Sequence, residues 1–599
     1  MLLRIKQLKI GTYGIIAFLI IALATLLRIL LIAWGWPHSN ADEDTMGIMA
    51  MHIAYKGEHP IFYYGQYYMG TLEAFLGAAF FHLFGVSVFS LRLGTVLLFA
   101  LFLTSMYFLT SLLYTKKLAL ITLVLLSLGS SIMLDTEIIA LGGYPELLFF
   151  GSLSLLLASW LALTYDRYSS RRAKIWRLIA YGCWGLVVGI GFWSDFLMLP
   201  FILVSGLLLV LFCWRELFKG SVLLLVLGLV IGAYPLIIYN LHALPKEDTL
   251  TVMSILHKAG SIELAQIRAH NHLPLEPELA GTTLTSLPAA TGGRPYCYDS
   301  HFRLAGYLST EKLQCPIIHG NWGLIIMALV WSLGYLILWT IAAFLILKGL
   351  WNLGVRTTGQ LWSPEEKRAV ARYFARLMLL CSAAFTLLLF IMSPTSAVFP
   401  SNSRYLIGLL ISTPALIAPL WGSANDKRAL TPGLSTPDSR FSTFAWFPLT
   451  LNLATFKMVL RRGILLLLGT LLLVGTIKAF FEIPTVRVYN QQQDALIHDL
   501  LRIKATHIYA DYWSCDSITF LSKEQIICGV VSDQLLPSHN RYPPYYSIVK
   551  ADPNSAYVFP IGASQIPTIT KKAAHSAGHY QHFVFDGYVV YQPVRSGGS

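Results

Sequence analysis

Long apolar stretches, separated by shorter polar ones, run along most of this chain. A helix needs roughly 17 to 25 apolar residues to cross a hydrocarbon core, and eleven stretches reach that length. They lie near residues 13–34, 89–113, 118–134, 145–165, 176–193, 196–213, 220–240, 321–347, 374–392, 405–421 and 462–482. The pattern predicts a polytopic α-helical membrane protein with about eleven transmembrane helices.

Composition and charge agree with this interpretation. Of the 599 residues, 55% are hydrophobic and only 13% are charged, which excludes an ordinary soluble globule. The net charge of +13 could suggest nucleic acid, but Lys and Arg cluster in alternate loops, as the positive-inside rule requires when the N-terminus is cytoplasmic. We therefore expect a multi-pass protein of the cell membrane and no nucleic-acid partner.

This topology places the larger polar segments outside the cytoplasm. They are a first loop at 35–88, a short loop near 135–144, a large loop at 241–320 and a tail at 483–599. The tail contains a helical pattern over 494–504 and strand-like segments, "HIYADYW" and "HFVFDGYVVY". We expect a transmembrane domain over 1–482 and a small extracytoplasmic α/β domain over 483–599.

Four cysteines fall in these outer segments. Cys297 and Cys315 share the large loop, while Cys515 and Cys528 share the tail. An oxidising compartment permits both pairs to form disulfides. We expect the first pair to be close enough to bridge, and the second pair is the less secure of the two.

The first outer loop opens with three consecutive carboxylates, Asp42, Glu43 and Asp44. The residues that follow have an apolar face at helical spacing, which predicts an amphipathic helix along the outer membrane interface. A second such helix is expected over 71–84. The simplest structural explanation for the triplet is that Asp42 caps the first helix and that its neighbours favour the helix dipole.

Four segments carry a resemblance to a known family. They are "ADEDTMGIMAMHIAYKGEHP", "YGQYYMGTLEAFLGAAFFHLFG" with the following "LRLG", "LDTEIIALGGYPELLFFG" and "SNSRYLIGLL". Together they resemble the polyprenol-phosphate-dependent glycosyltransferases of the GT-C fold, the superfamily of protein O-mannosyltransferases and aminoarabinose-lipid A transferases. The specific matches are Asp42-Glu43 and Arg404-Tyr405. The resemblance implies a GT-C fold and inverting transfer of a sugar from a polyprenyl-phosphate donor to a hydroxyl of a protein, glycan or lipid.

The resemblance also implies roles for individual residues. Asp42 is the expected base, and Glu43 supports it or contributes to the acceptor site. Arg404, with Tyr405, is expected to bind the donor phosphate. In the second outer loop the resemblance implies a ligand of a divalent cation or of the acceptor, either Glu137, which we favour, or Asp135. Glu73 is a further candidate for this role on other grounds, because an ionisable residue at membrane depth is costly. The first loop lacks the lysine of the aminoarabinose transferases, so phosphate binding is left to Arg404 or a metal ion.

Two alternatives stay open. A transporter or flippase of a lipid-linked sugar would also need charged residues in its membrane part, although its repeats and broken helices are not evident here. An oligosaccharyltransferase-like enzyme would share the architecture, but "ADYWSCDS" does not match its Trp-Trp-Asp motif. Arg92 is a further outer arginine, which we interpret as a ligand of phospholipid headgroups.

Overall fold

The computed structural model describes residues 11–165, 170–269, 276–295, 322–356, 363–398, 402–421, 453–575 and 580–594. Most of the described chain is helical. The helices of the first half are α1 (Thr12–Ala33), α2 (Ala41–Met51), α3 (Leu72–Phe84), α4 (Val88–Leu113), α5 (Lys116–Ser127), α6 (Ser131–Ile138), α7 (Tyr144–Leu163), α8 (Arg171–Ser194), α9 (Leu199–Glu216), α10 (Val222–Gly232), α11 (Tyr234–His242), α12 (Thr249–Ala269), α13 (Pro277–Gly281) and α14 (Leu287–Thr291).

The second half supplies the remaining membrane helices and the C-terminal domain. Its helices are α15 (Trp322–Arg356), α16 (Pro364–Ile391), α17 (Thr395–Val398), α18 (Thr413–Trp421), α19 (Leu453–Arg502), α20 (Tyr512–Leu521), α21 (Pro543–Ala551) and α22 (Ile566–His575). A 3₁₀ helix, Ser403–Ser412, leads into α18. The strands are β1 (His507–Ala510), β2 (Ile527–Val530), β3 (Ala556–Pro560), β4 (Tyr580–Phe585) and β5 (Tyr588–Pro593).

In the described ranges, nine helical segments are long and apolar enough to cross a membrane, or ten if one bent pair counts as a span. One of these segments, Phe196–Gly232, contains a turn at Lys219 and Gly220, and the φ of Gly220 is +96°. Its second half, α10, packs in parallel with α8, because a Cβ on Gly185 would meet Leu225 and one on Gly189 would meet Leu229. The segment therefore makes two passes, which brings the larger count to the predicted eleven.

The bent pair, counted above as one span, differs in shape from the prediction. The stretch 118–134 was expected to form one helix, but α5 and α6 meet at an angle of 91°. The break lies at Leu128–Ser130, where Leu128 is extended and Ser130 caps the next helix by accepting a hydrogen bond from the Met133 amide. Helix α6 therefore turns into the protein and carries Glu137 with it.

The C-terminal domain is the predicted small α/β domain. Its five strands are ordered β2-β1-β3-β5-β4; the first three are parallel and β5 is antiparallel to both its neighbours. Strand β1 ends at Ala510, so that the second half of "HIYADYW" begins helix α20 and is not a strand. A disulfide joins Cys515 of α20 to Cys528 of β2, whereas Cys297 and Cys315 lie outside the described residues.

The domain boundary expected at 482 and 483 falls inside a helix. Helix α19 runs without interruption for 50 residues, from the last membrane span into the C-terminal domain, with Pro484 inside it. Its Leu496 and Leu500 are fully buried in the core of the α/β domain. One helix therefore belongs to both parts and fixes the direction in which the domain leaves the membrane part.

The C-terminal domain packs directly on the first loop, chiefly through α20 against α2. The two segments must therefore lie on the same side of the membrane, and an even number of crossings must separate α1 from the domain. Eleven spans satisfy this condition. The prediction that α2 lies along the membrane interface is wrong, since ten of its eleven residues are buried. The domain covers the polar side of α2, which an interfacial helix would expose to water.

Candidate functional site

Helix α2 begins two residues earlier than a cap at Asp42 would require. Its N-cap is Asn40, whose side chain accepts a hydrogen bond from the Glu43 amide. Asp42, Glu43 and Asp44 all lie in the first turn, where carboxylates interact favourably with the helix dipole. The triplet is therefore not needed for capping, and its three side chains point in different directions with different partners.

Asp42 is the member of the triplet that is open to solvent, with a side chain 25% exposed. Its Oδ1 accepts hydrogen bonds from the Tyr512 hydroxyl at 2.6 Å and from Nη2 of Arg541 at 3.1 Å. Tyr63 donates to the Asp42 carbonyl oxygen at 2.8 Å. Within the described part of the chain, Oδ2 has no hydrogen-bond partner, so this oxygen can meet a ligand.

Glu43 is completely buried and serves the structure of the loop. It forms a two-point ion pair with Arg92 of α4, with distances of 2.8 and 2.5 Å, and also accepts the Ala140 amide at 3.0 Å. Arg92 donates to the Pro37 carbonyl as well and is itself 0% exposed. The assignment of Arg92 to lipid headgroups is wrong, and Glu43 supports the Asp42 helix from behind.

Asp44 and Thr45 connect α2 to the C-terminal domain. The Ser517 hydroxyl donates to Asp44 Oδ2 at 2.5 Å, and Thr45 donates to Asp516 at 2.6 Å. Burial raises the pKa of Asp44 to about 8 in spite of the Ser517 hydrogen bond, and it raises the pKa of Asp516 to about 6. Asp44 is fully buried and has no exposed oxygen with which to reach a substrate.

The far end of the same helix makes a second polar contact with the domain. His52 is buried, and its Nε2 lies 3.0 Å from both Glu524 and the Tyr545 hydroxyl. Lys56 approaches Glu524 to 2.6 Å. Although burial opposes ionisation, His52, Lys56 and Tyr545 together lower the pKa of Glu524 to about 2. Both ends of α2 are therefore held by the domain.

Arg404 lies at the start of the 3₁₀ helix, between two aromatic rings. Its guanidinium carbon is 5.5 Å from the centroid of Tyr144 and 5.8 Å from that of Tyr405, which are cation–π distances. Its Nε is buried without a hydrogen-bond partner among the described residues. Arg404 also lines a small, largely apolar cleft bounded by α6 and α14. The arginine is thus oriented by rings and retains donors for an anion.

Tyr68 links the Asp42 and Arg404 parts of the site. Its pKa is raised to about 12, mainly by burial, and the charges or hydroxyls of Tyr405, Arg541, Asp195 and Asp42 also act on it. The fold also brings the two parts close together: a Cβ on Gly142, two residues before the Tyr144 that flanks Arg404, would lie 2.8 Å from Met69 Sδ. The Met69 carbonyl accepts the amide of Tyr63, which contacts both Asp42 and Arg541. A carboxylate from the first loop, an arginine from a late membrane segment and an arginine from the C-terminal domain therefore lie in one region of the structure.

The carboxylates expected to bind a metal ion or the acceptor have other partners. Glu137 is 1% exposed and forms an ion pair with Arg28 at 2.5 Å. Glu73 is equally buried, accepts the Gly142 amide at 2.8 Å and neighbours Glu146; burial and that neighbour raise the pKa of Glu73. Asp135 lies on α6 and is half-buried. No group of three His, Cys, Asp or Glu side chains in the described ranges is arranged to hold a metal ion.

The turn between α6 and α7 brings these groups together. Gly142 and Gly143 have φ values of +86° and +87°, which glycine adopts without strain, and Pro145 follows in the first turn of α7. A Cβ on Gly143 would lie 2.5 Å from the Asp195 carboxylate. The two glycines therefore serve both the turn and the close approach of Asp195.

No direct signal in the sequence indicated that the C-terminal domain contributes to the site. Tyr512 belongs to "HIYADYW", interpreted as a strand, and Arg541 begins "RYPPYY", whose prolines are typical of a turn. The positive-inside rule does not single out Arg541 either, because it applies to residues close to the spans and not to the interior of a long domain.

The fold and the site together define a polytopic α-helical membrane protein with a C-terminal α/β domain that closes over an acidic helix of the first loop. No family model matches the sequence, and no curated protein matches it.

Among solved structures, the chain is similar to ArnT from Cupriavidus metallidurans in the apo state, at 13% identity and a TM-score of 0.49, with 97% of this chain and 99% of that one covered. The same protein bound to undecaprenyl phosphate gives the same values. The archaeal oligosaccharyltransferase AglB from Archaeoglobus fulgidus, in complex with an inhibitory peptide and a dolichol-phosphate, has 13% identity and a TM-score of 0.48, with 97% of this chain and 74% of that one covered.

Proposed function

We propose that the protein is a membrane glycosyltransferase of the GT-C class, which transfers a sugar from a polyprenyl-phosphate donor to an acceptor hydroxyl at the outer face of the membrane. The observation that carries this proposal is the placement of Asp42, a solvent-open carboxylate, in the same region as Arg404, an arginine that has no carboxylate partner among the described residues. A base and a cation for a leaving phosphate are what an inverting displacement at an anomeric carbon requires.

In this proposal Asp42 accepts the proton of the acceptor hydroxyl through Oδ2. The acceptor oxygen attacks the anomeric carbon, the bond to the phosphate oxygen breaks, and the polyprenyl phosphate leaves with the bonding electrons. Arg404 binds the phosphate in the ground state and as its charge grows, a role that suits the forked donors of a guanidinium.

The roles of the other acidic residues differ from those implied by the resemblance. Glu43 holds α2 in place through Arg92 and does not reach the acceptor. Glu137 is occupied by Arg28, and Glu73 is enclosed near Glu146, so the described carboxylates do not fit a divalent-cation site and we assign no step to a metal ion. The orientation that accompanies this proposal places the N-terminus in the cytoplasm and the C-terminal domain outside.

The direct test is to give the purified full-length protein a panel of radiolabelled polyprenyl-phosphate sugars, together with cell-envelope material that supplies acceptor hydroxyls, and to measure label that leaves the lipid. Release by the wild type and its loss in Asp42→Asn would support the proposal. Arg404→Ala should weaken donor binding and turnover together, because a charge-assisted contact worth about 1.5 to 3 kcal/mol is made before the transition state too. The exposed Arg487→Ala is the matched control for the loss of one positive charge.

The two alternatives give different results in the same assay. A flippase would move the intact lipid-linked sugar across a vesicle membrane without breaking its bond. An oligosaccharyltransferase-like enzyme would release label only when a peptide amide acceptor is supplied. Intact transport with no release of label would overturn the enzyme proposal.

A further inference from the structure

The C-terminal domain places a second arginine against the same carboxylate. Arg541 follows Asn540 in the loop before α21, and its side chain is only 10% exposed. Its Nη2 lies 3.1 Å from Asp42 Oδ1, and its Nε and Nη2 donate to the Tyr512 hydroxyl at 3.0 and 2.8 Å. Tyr512 in turn donates to the same Asp42 oxygen. Arg541 therefore both neutralises the carboxylate and occupies one side of it.

Residues of the first loop contact Arg541 and fix its position. Gly65, with a φ of +71°, lies so close that a Cβ would be 3.5 Å from the Arg541 Cα and 3.6 Å from its carbonyl oxygen. The Tyr63 and Tyr512 rings flank the guanidinium at 5.1 and 5.6 Å. The contact with Asp42 is nevertheless a single hydrogen bond. Nη1 has no hydrogen-bond partner among the described residues, so the guanidinium retains donors for a second anion.

We propose that Arg541 is a phosphate-binding residue that exchanges partners, pairing with Asp42 in the unliganded protein and moving to the donor phosphate when the lipid binds. This inference rests on the proposed function. An anion held by Arg404 lies near Arg541, because Tyr144 flanks Arg404 and the nearby Gly142 packs on Met69. The Met69 carbonyl accepts the amide of Tyr63, whose ring flanks Arg541. The donor phosphodiester carries one negative charge, as the carboxylate does, but it is also held by Arg404 and gains charge as its bond to the sugar breaks. It therefore competes for the guanidinium and leaves Oδ1 of Asp42 with the Tyr512 hydrogen bond alone.

The exchange has a functional consequence. While Arg541 and Tyr512 both donate to Oδ1, the Asp42 carboxylate is held at the edge of the C-terminal domain. When Arg541 moves to the phosphate, Asp42 is released as the donor arrives, so that the base and the leaving group are put in place by the same event. The C-terminal domain would then be a working part of the site, and the protein would lose donor-dependent activation without it.

The test is the binding of sugar-free undecaprenyl phosphate to the purified full-length protein, measured as a Kd for the wild type, Asp42→Asn, Arg541→Gln and the double variant. We expect Arg541→Gln to weaken binding about tenfold, as the loss of a charge-assisted contact does. Lys571→Gln removes a positive charge from the exposed surface of the same domain and should leave the Kd unchanged. Arg541→Lys retains the charge and serves as a control for a folding defect. It should bind undecaprenyl phosphate with intermediate affinity.

The double variant decides between exchange and simple charge neutralisation. If Arg541 moves, Asp42→Asn frees the guanidinium in advance. This substitution should then tighten binding several-fold when Arg541 is present, and have less effect in the Arg541→Gln background. If Arg541 stays on Asp42, removing the carboxylate helps most when Arg541 is absent, because the uncompensated repulsion of the phosphate is then relieved. An effect of Asp42→Asn that is equal or larger in the Arg541→Gln background overturns the exchange. Failure of the wild type to bind undecaprenyl phosphate would instead reject the proposed function itself.

Discussion

The Tyr512 hydroxyl of the C-terminal domain donates a 2.6 Å hydrogen bond to Asp42 Oδ1 in the first loop, across 470 positions of sequence. A proposed base at the edge of the membrane is therefore oriented by a residue of the soluble domain. The adjacent acidic residues, Glu43 and Asp44, are turned away from this opening, one towards Arg92 and the other towards Ser517. The three carboxylates should respond very differently to the loss of charge.

Asp42→Asn and Asp44→Asn form the first comparison. Asparagine retains an oxygen that can accept from Tyr512, so Asp42→Asn should fold normally while glycosyl transfer falls by about 10²- to 10⁴-fold, the usual contribution of a general base. Asp44→Asn should retain most of its activity, since Asp44 is buried. The measurement is the rate of label release at saturating donor. An active Asp42→Asn beside an inactive Asp44→Asn would place the base two residues further along the helix.

The Glu43–Arg92 pair should contribute to stability and not to chemistry. Either Glu43→Gln or Arg92→Met leaves a buried charge without its partner, which typically costs about 3 to 5 kcal/mol. The Tm in detergent should therefore fall in both single variants and recover in part in the double variant. Glu43→Gln should reduce turnover less than Asp42→Asn does. A loss of transfer in Glu43→Gln with an unchanged Tm would give Glu43 a direct role after all.

Gly47 tests how closely the C-terminal domain must dock. A Cβ at this position would lie 2.5 Å from the Phe520 ring, a distance that van der Waals contact forbids. Gly47→Ala should therefore push α20 away from α2, lowering both activity and the Tm, although alanine is the better helix former. Phe520→Leu should restore docking in the Gly47→Ala background. Protease cleavage of the C-terminal domain reports the docking independently, and an undisturbed Gly47→Ala variant would contradict this packing.

The membrane spans and the α/β fold of the tail could be predicted from the sequence because their signals are local. Apolar length identifies a span, and alternation with turn residues identifies a short strand, as in β4 and β5. The bend between α5 and α6 was missed because a serine cap inside an apolar run does not interrupt the hydropathy. The burial of α2 was missed because it depends on α20, a helix that is remote in sequence.

The candidate site, too, could be predicted from the sequence only in part. Asp42 and Arg404 could be selected from the residues around them, but the partners of each carboxylate could not. Glu43 and Arg92 are individually unremarkable outer charges, and only the fold shows that they neutralise one another. Arg541 was overlooked because the tail carries no pattern that identifies a binding group, and its approach to Asp42 depends on the docking of two separate segments.

The pH dependence of docking provides the last prediction. Burial first, and then the charge of Glu43, raise the pKa of Asp44 to about 8, while Ser517, Ser39 and Arg92 act in the opposite direction. Folded Asp44 thus retains a proton that the unfolded chain, with an ordinary value of 3.8, has lost. The free energy of unfolding should therefore decrease as the pH rises from about 4 to about 8, and the contribution of Asp44 should be lost above pH 8.

In Asp44→Asn this contribution is absent at every pH. The Tm of Asp44→Asn relative to the wild type should therefore rise over the whole range from about pH 4 to about pH 8. In Asp516→Asn the gain should end near pH 6, since burial raises the pKa of Asp516 only to about 6. Thermal unfolding of the three proteins in detergent at intervals from pH 4 to 9 measures both windows, and a wild-type Tm that rises relative to Asp44→Asn between pH 5 and 8 would show that Asp44 is ionised in the docked protein.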